Sequence, residues 1–306
     1  MNIDLSPEAR EYGEQALRAF ETAGGDALLQ RAEADPSQRE SLVGTVLEGL
    51  GAWDLEPRTD TDSAEAAAAL CRSAGYWALP YPLAERLARP ADIDAAGLIV
   101  VAGPAPAATI AGVDGDWATV TLDGRRARVT GTSNSRTAFV TSLQLTDFDD
   151  AGAADVALAI ALPCWTLLGM LDRAMELTVA HVKLRRQFGQ PLSGFQSVQF
   201  QLTDAEVERS GLEMLARYAL STVGGPDALA DALALRLAAL EAAEVVFRVT
   251  HQLHGAVGFC DETVLSWLSR YSQPLRRLPL GLSATRALLT ELLGTRGLTG
   301  LYSDAT

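Results

Sequence analysis

Apolar residues recur at helical spacing over most of this chain. Ser6-Pro7-Glu8 combines a capping serine, a proline suited to a first turn and an acid, which predicts a helix start. Leu17, Phe20, Leu28 and Leu29 follow, broken by Gly24-Gly25. Between residues 37 and 53, Leu42, Val43, Val46, Leu47 and Leu50 keep the helical period. Asp60 to Asp62 with Ser63 predict the cap of an alanine-rich helix running to about Ala74, with Gly75 placed to stop it. Pro80 and Pro82 keep the chain from resuming that helix.

The pattern changes near Leu98. Leu98 to Val101, Thr109-Ile110, Ala118 to Leu122 and Ala127 to Val129 are short β-rich runs, parted by turns such as Val113-Asp114-Gly115-Asp116 and Leu122-Asp123-Gly124-Arg125. Phe139 to Leu145 reads as a last strand. Long helical segments then return: Pro163 to Arg186, Phe195 to Val223, Pro226 to Leu253, a shorter one after Asp261-Glu262, and Ser283 to Leu293. Helices of this length predict an antiparallel bundle. The expected organisation is mainly α: an N-terminal helical domain over 1–95, a reduced β domain over 96–152 and a C-terminal helical bundle over 153–306.

Composition narrows the function classes. At 306 residues and 48% hydrophobic, the chain can bury a sizeable core. A net charge of −14 argues against nucleic acid, which asks for a basic footprint. A small anionic ligand is still accessible to a local arginine cluster. Cys71, Cys164 and Cys260 have no paired spacing, so neither a disulfide framework nor a zinc site is expected, and a reducing cytoplasm fits. Met1-Asn2-Ile3-Asp4 lacks the basic and apolar regions of a secretory signal. No apolar run approaches the ~20 residues of a membrane span, so no membrane is expected.

Two segments carry the candidate chemistry. In Arg185-Arg186-Gln187-Phe188-Gly189-Gln190-Pro191-Leu192, cations are expected to end a helix, where they suit the negative end of its dipole. A guanidinium forks onto a diphosphate, and Gln187 adds an amide. Phe188 suits either the cover of an aromatic ring system or a core plug. Gln196 and Gln199 open the next helix. The second segment is Thr250-His251-Gln252-Leu253-His254-Gly255-Ala256-Val257-Gly258-Phe259, where small residues permit close backbone approach and Gln252 can bond a base or sugar edge. A helix C-cap followed by a turn explains the same residues. His251 and His254 lie three apart with no third metal ligand nearby in sequence, so no metal is expected.

Together the two segments resemble the C-terminal bundle of the acyl-CoA dehydrogenase family. Its Arg-x-Gln-Phe-Gly-x-Pro-Leu run and its later Gln-x-x-Gly-(Gly/Ala)-x-Gly-(Phe/Tyr) run are both present in order, and Glu262 and Arg270 stand where the family has an acid and an arginine. The resemblance covers about residues 155 to 296 strongly and extends more weakly over the N-terminal helices, including Leu79 to Glu85. It implies FAD, its diphosphate and adenosine half held by Arg185, Gln187, Phe188, Gln196, Gln252, Gly255 and Ala256, mainly for the adjacent subunit's flavin.

The chain departs from the family twice. Its β segment is about half the usual length and lacks the region that holds the flavin ring. Where the family places its catalytic glutamate, this chain reads Arg277-Leu278-Pro279-Leu280-Gly281-Leu282, and neither Pro279 nor Leu280 accepts a proton. Leu158 to Leu162, the other position used in the family, has no acid either. Asp172 and Glu176 are expected to face solvent or pair locally, and Asp261 and Glu262 to cap the next helix. No catalytic residue is therefore assigned. The resemblance implies the short subunit of a heteromeric, α2β2 enzyme that desaturates a bulky, steroid-derived acyl-CoA. A full-length dehydrogenase subunit would be its partner, with FAD shared and an electron-transfer acceptor beyond. The alternatives are a homo-oligomeric flavoenzyme using Asp172 or Glu262 as base, a scaffold subunit that binds no nucleotide, and a plain helical interaction protein.

Overall fold

The computed structural model describes residues 3–108, 116–134 and 140–296. Helices α1 (Pro7–Ala23) and α2 (Asp26–Ala34) are divided at Gly24-Gly25, as the pattern predicts. Ser6 caps α1 by accepting from the Ala9 N–H at 3.2 Å. Residues 37–53 do not form one helix. They break into 3-10 turns at Pro36–Gln38 and Ala52–Asp54, a π turn at Glu40–Gly44 and the short α3 (Thr45–Gly49).

Helix α4 (Thr61–Tyr76) is capped by Asp60, whose carboxylate accepts from the Ser63 N–H at 2.9 Å. Gly75 does not stop it. A Cβ on Gly75 would lie 1.9 Å from the Thr166 carbonyl oxygen, and one on Gly169 would lie 1.9 Å from that of Arg72. The two glycines let α4 cross the long α6 (Ala153–Leu184) backbone to backbone. Helix α6 begins ten residues before the expected Pro163, which sits inside it.

After α5 (Leu83–Leu87) come β1 (Leu98–Val101), β2 (Ala107–Ala108), β3 (Ala118–Thr121), β4 (Arg125–Asn134) and β5 (Thr141–Ala151). They form one sheet in the order β1-β3-β4-β5-β2. β1 and β3 are parallel, and the other pairs are antiparallel. The expected Thr109-Ile110 strand, the turn around Asp114 and the Phe139 strand start lie outside the described residues. Arg126 fastens the sheet to the helices: its guanidinium is 2.6 Å from Asp155 of α6 and 2.7 Å from Asp92, and Arg58 adds a 3.0 Å pair to Asp155.

Beyond α6 run the short strands β6 (Arg186–Gln187) and β7 (Gln190–Pro191), then α7 (Gln196–Ser221), α8 (Ala228–His254), α9 (Val264–Arg277) and α10 (Leu282–Arg296). One continuous apolar core runs from Leu5 through Phe20, Leu70, Trp165, Leu212 and Leu235 to Leu289, so the N-terminal helices and the bundle share it. Contrary to the sequence expectation, α6 is long and apolar enough to cross a bilayer by length and composition. Its most apolar stretch is 83% buried among the other helices, as the central helix of a packed core must be.

Candidate functional site

Helix α6 ends at Leu184, and Arg185 takes an extended conformation (φ −69°, ψ 122°) that turns the chain outward. The basic residues of the last turn are His181 and Lys183, not the expected Arg185-Arg186. Arg186 and Gln187 instead pair with Pro191 and Gln190 in a tight hairpin. Its tip is Phe188-Gly189, with φ +50° and +84°. Two consecutive positive φ angles are what a type I′ turn requires. Glycine meets that demand freely; phenylalanine does not. Phe188 is nevertheless 92% exposed, edge-on to Phe195 with ring centroids 6.3 Å apart. It is not a core plug. An exposed aromatic on left-handed backbone adds nothing to the core and costs backbone strain.

The other hairpin residues divide between bracing and reach. Arg186 Nη2 donates to the Gly189 carbonyl at 3.1 Å, and Gln199 Nε2 donates to the Ser193 carbonyl at 2.9 Å. Both therefore brace the loop. Arg185 and Gln187 are exposed, and the Arg185 side chain makes no hydrogen bond among the described residues. Gln196 is exposed as the first residue of α7.

The second cluster is built by the end of α8. Gln252 is exposed on the last turn, and Gly255 closes the helix at φ +63°, ψ −147°, a conformation essentially reserved for glycine. Ala256 is exposed in the 3-10 turn Gly255–Phe259. Gly258 is there for packing, since a Cβ would lie 2.9 Å from that of His254.

The histidines bring the two clusters to the same end of the bundle. His181 of α6 stacks on His254 of α8 with centroids 4.3 Å apart, and Thr178 Oγ1 lies 3.5 Å from His254 Nδ1. His251 stacks on Phe259, also at 4.3 Å. These three are all the histidines in the chain. Burial lowers the pKa of each, and the nearness of His254 lowers those of His181 and His251 further. The sequence reading missed His181, whose partner lies far along the chain. Among the described residues, no group of three or more His, Cys, Asp or Glu could hold a metal ion.

No acid stands at the turn after α9. Leu278-Pro279 is a cis peptide, and Arg236, only 3% exposed, reaches under the turn from α8. Its guanidinium donates to the carbonyls of Leu278 (2.6 Å) and Leu280 (2.5 Å). Burial lowers its pKa, and no carboxylate offsets it among the described residues. Asp172 is held by Arg72 at 2.6 Å and Arg209 at 2.9 Å. Glu176 bonds Tyr76 and Arg173. The expected cap by Asp261 and Glu262 is not formed: the N-cap of α9 is Thr263, without a side-chain bond. Asp261 instead pairs with Arg270 at 2.7 Å, and its carbonyl accepts from Trp267 Nε1.

Residues 161–279 match the family described as acyl-CoA dehydrogenase, C-terminal domain. That stretch is an acyl-CoA dehydrogenase C-terminal domain. A relative in Paraburkholderia xenovorans, 3-sulfinopropanoyl-CoA desulfinase, is 28% identical over 67% of this chain and 52% of its own. Acyl-CoA dehydrogenase FadE28 of Mycobacterium tuberculosis is 31% identical over 58% of this chain and 53% of its own. The chain thus spans about half the length of the curated relatives it matches. Two solved structures share the acyl-CoA dehydrogenase fold over nearly the whole chain. The Tcur3481-Tcur3483 steroid dehydrogenase variant has a TM-score of 0.75 at 21% identity, covering 96% of this chain and 99% of that one. The ChsE4-ChsE5 complex of Mycobacterium tuberculosis has a TM-score of 0.73 at 16% identity, covering 98% and 100%.

Proposed function

We propose that this chain is the subunit without a catalytic base in a heteromeric, FAD-dependent acyl-CoA dehydrogenase. It contributes the diphosphate and adenosine half-site at the subunit interface, and a full-length dehydrogenase subunit completes the pair in an α2β2 assembly. The substrate is a bulky, steroid-derived acyl-CoA, the electrons pass to a separate transfer protein, and the enzyme is cytoplasmic. The observation that carries this reading is an open, cationic bundle end in the same chain as a closed sheet–bundle junction.

The open end suits the polar half of FAD. Arg185 offers an exposed guanidinium for a diphosphate, Gln187, Gln196 and Gln252 offer amides, and Gly255 and Ala256 allow close backbone approach. Phe188 offers a face to a ring. The junction between sheet and bundle does not suit the tricyclic half. It is lined by Leu98, Val100, Ile160 and Pro279 together with the charged Glu85 and Arg236, and its cavity is about 30 Å³, where a ligand-sized pocket needs ~300 Å³ or more. When bound, the flavin supplies hydride acceptance from the acyl β-carbon. This chain's residues grip the dinucleotide tail and leave α-proton removal to the partner's side of the interface, since Pro279 and Leu280 cannot take a proton.

Asp172 and Glu262 do not favour a self-sufficient enzyme: the first is held by two arginines, and the second is exposed at the start of α9. The heteromeric names of two structural neighbours support a two-chain assembly. Co-expression with a neighbouring full-length dehydrogenase should give about one flavin per two chains, the ratio set by a half-site on each chain. One flavin per copy of this chain purified alone overturns the reading. Arg185→Ala should lower the flavin content of the complex; unchanged content would favour a scaffold subunit.

A further inference from the structure

The two segments proposed to hold the dinucleotide meet at a pair of imidazoles. Arg185 follows His181 by four residues at the end of α6. Gln252, Gly255 and Ala256 flank His254 at the end of α8. The two rings stack at 4.3 Å, and both residues are half-buried. His254 Nδ1 lies 2.9 Å from the Thr250 carbonyl oxygen. A carbonyl only accepts, so Nδ1 carries the hydrogen and Nε2 keeps a lone pair. His181 makes no side-chain hydrogen bond among the described residues. The pair is therefore a base set into the proposed site. The other contacts there are an arginine, amides and backbone, which exchange no proton near neutral pH.

The charges around the stack lack an anion. On α6, Arg185 acts on His181, and Lys183 is exposed in the same turn. On α8, His254 acts on His251. The turn after α8 adds Phe259 and the exposed Cys260. The hairpin adds Arg186, held on the Gly189 carbonyl. Ahead of α9, Asp261 is held by Arg270, and Glu262 is exposed. Among the described residues, no carboxylate acts on the three imidazoles. A proton on the pair thus faces Arg185 with nothing to offset it, and a diphosphate on Arg185 would supply the offset. We propose that the His181–His254 stack is the proton-accepting part of the anion site: a diphosphate that binds beside Arg185 draws a proton from solvent onto a ring nitrogen of the pair. A second proton would set like charges 4.3 Å apart, so the pair takes one and titrates as a unit. The grip on the diphosphate tightens as pH falls from about 8 toward about 6, and binding returns stability that protonation removes. This rests on the proposal that the two segments hold the dinucleotide, and it adds how pH governs that hold.

ADP-ribose serves as the probe, because its diphosphate is a diester with no proton of its own to exchange near neutral pH. It is titrated calorimetrically into the full chain at about pH 6.5, in Mes and in imidazole, two buffers of different ionisation enthalpy. The two heats should differ by the uptake of a fraction of one proton, and the affinity should be roughly threefold higher at about pH 6 than at about pH 8. His181→Phe/His254→Phe keeps two rings in the stack but removes their basic nitrogens. It should bind ADP-ribose with equal heats in both buffers and an affinity that no longer changes with pH. Equal heats in the wild-type chain overturn the inference without recourse to any variant, and so does an uptake that survives the double substitution. Arg185→Ala should weaken binding at every pH. Binding that Arg185→Ala leaves unchanged, or no binding at all, overturns the half-site and this inference with it; binding that needs Arg185 yet takes up no proton overturns this inference alone.

Discussion

His181 and His254 stack face to face, 4.3 Å between ring centroids and 21° from parallel, and so join the ends of α6 and α8. Each has a pKa below the usual 6.5, from burial first and then, for His181, from His254 and Arg185. His251 is lowered by burial and by His254. The folded state therefore binds fewer protons than the unfolded chain just below pH 6.5. Stability should be full above that value, fall as pH drops through it, and level off once pH lies beneath the folded values. Urea titrations from about pH 7.5 to about pH 5 should show this slope, and His181→Phe should flatten it. A stability unchanged over the same range would contradict the prediction.

Phe188 separates folding from function. Its φ of +50° is strained, and its ring is almost wholly exposed. Phe188→Gly should leave the chain as stable, or more so by about 1 kcal/mol, while the flavin content of the proposed two-chain complex falls. Thermal melts and flavin absorbance read the two effects separately. A large loss of stability with flavin retained would reverse the assignment.

Gly75 and Gly169 should tolerate no side chain. Either Gly75→Ala or Gly169→Ala places a Cβ 1.9 Å from a carbonyl oxygen of the facing helix. Each should cost roughly 3 kcal/mol, the upper end for overpacking. One separation of α4 from α6 relieves both clashes, so the double variant should cost clearly less than the sum of the singles, as measured by chemical denaturation.

Arg126 and Asp155 are buried partners, 6% and 5% exposed. Asp155→Ala would strand the guanidinium between sheet and helix, with Asp92 still on its outer edge. Breaking such a pair from one side costs about 3–5 kcal/mol. Arg126→Met combined with Asp155→Leu should recover most of that loss, read as denaturation midpoints of the three variants.

What was legible in the sequence was local. Ser6 and Asp60 cap the helices they precede, Gly24-Gly25 breaks the first pair, and the long amphipathic runs after Pro163 are helices. What was hidden depended on a distant partner. Gly75 reads as a stop until Gly169 is brought against the same crossing. Pro163 reads as a helix start because that is where proline fits best, yet α6 runs through it. The seven contact residues expected for the nucleotide were legible as two motifs. That they share one end of the bundle depends on a stack between His181 and His254, which no local pattern encodes.

Arg236 makes the missing acid hard to restore. Its buried guanidinium is committed to the carbonyls of Leu278 and Leu280, the very turn where a glutamate would have to return. A carboxylate reintroduced there would arrive beside a fixed positive charge, become ion-paired and turn too weakly basic to accept a proton at neutral pH. Removing Arg236 first would unfasten the turn. Placing an acid there thus needs two changes, each harmful without the other.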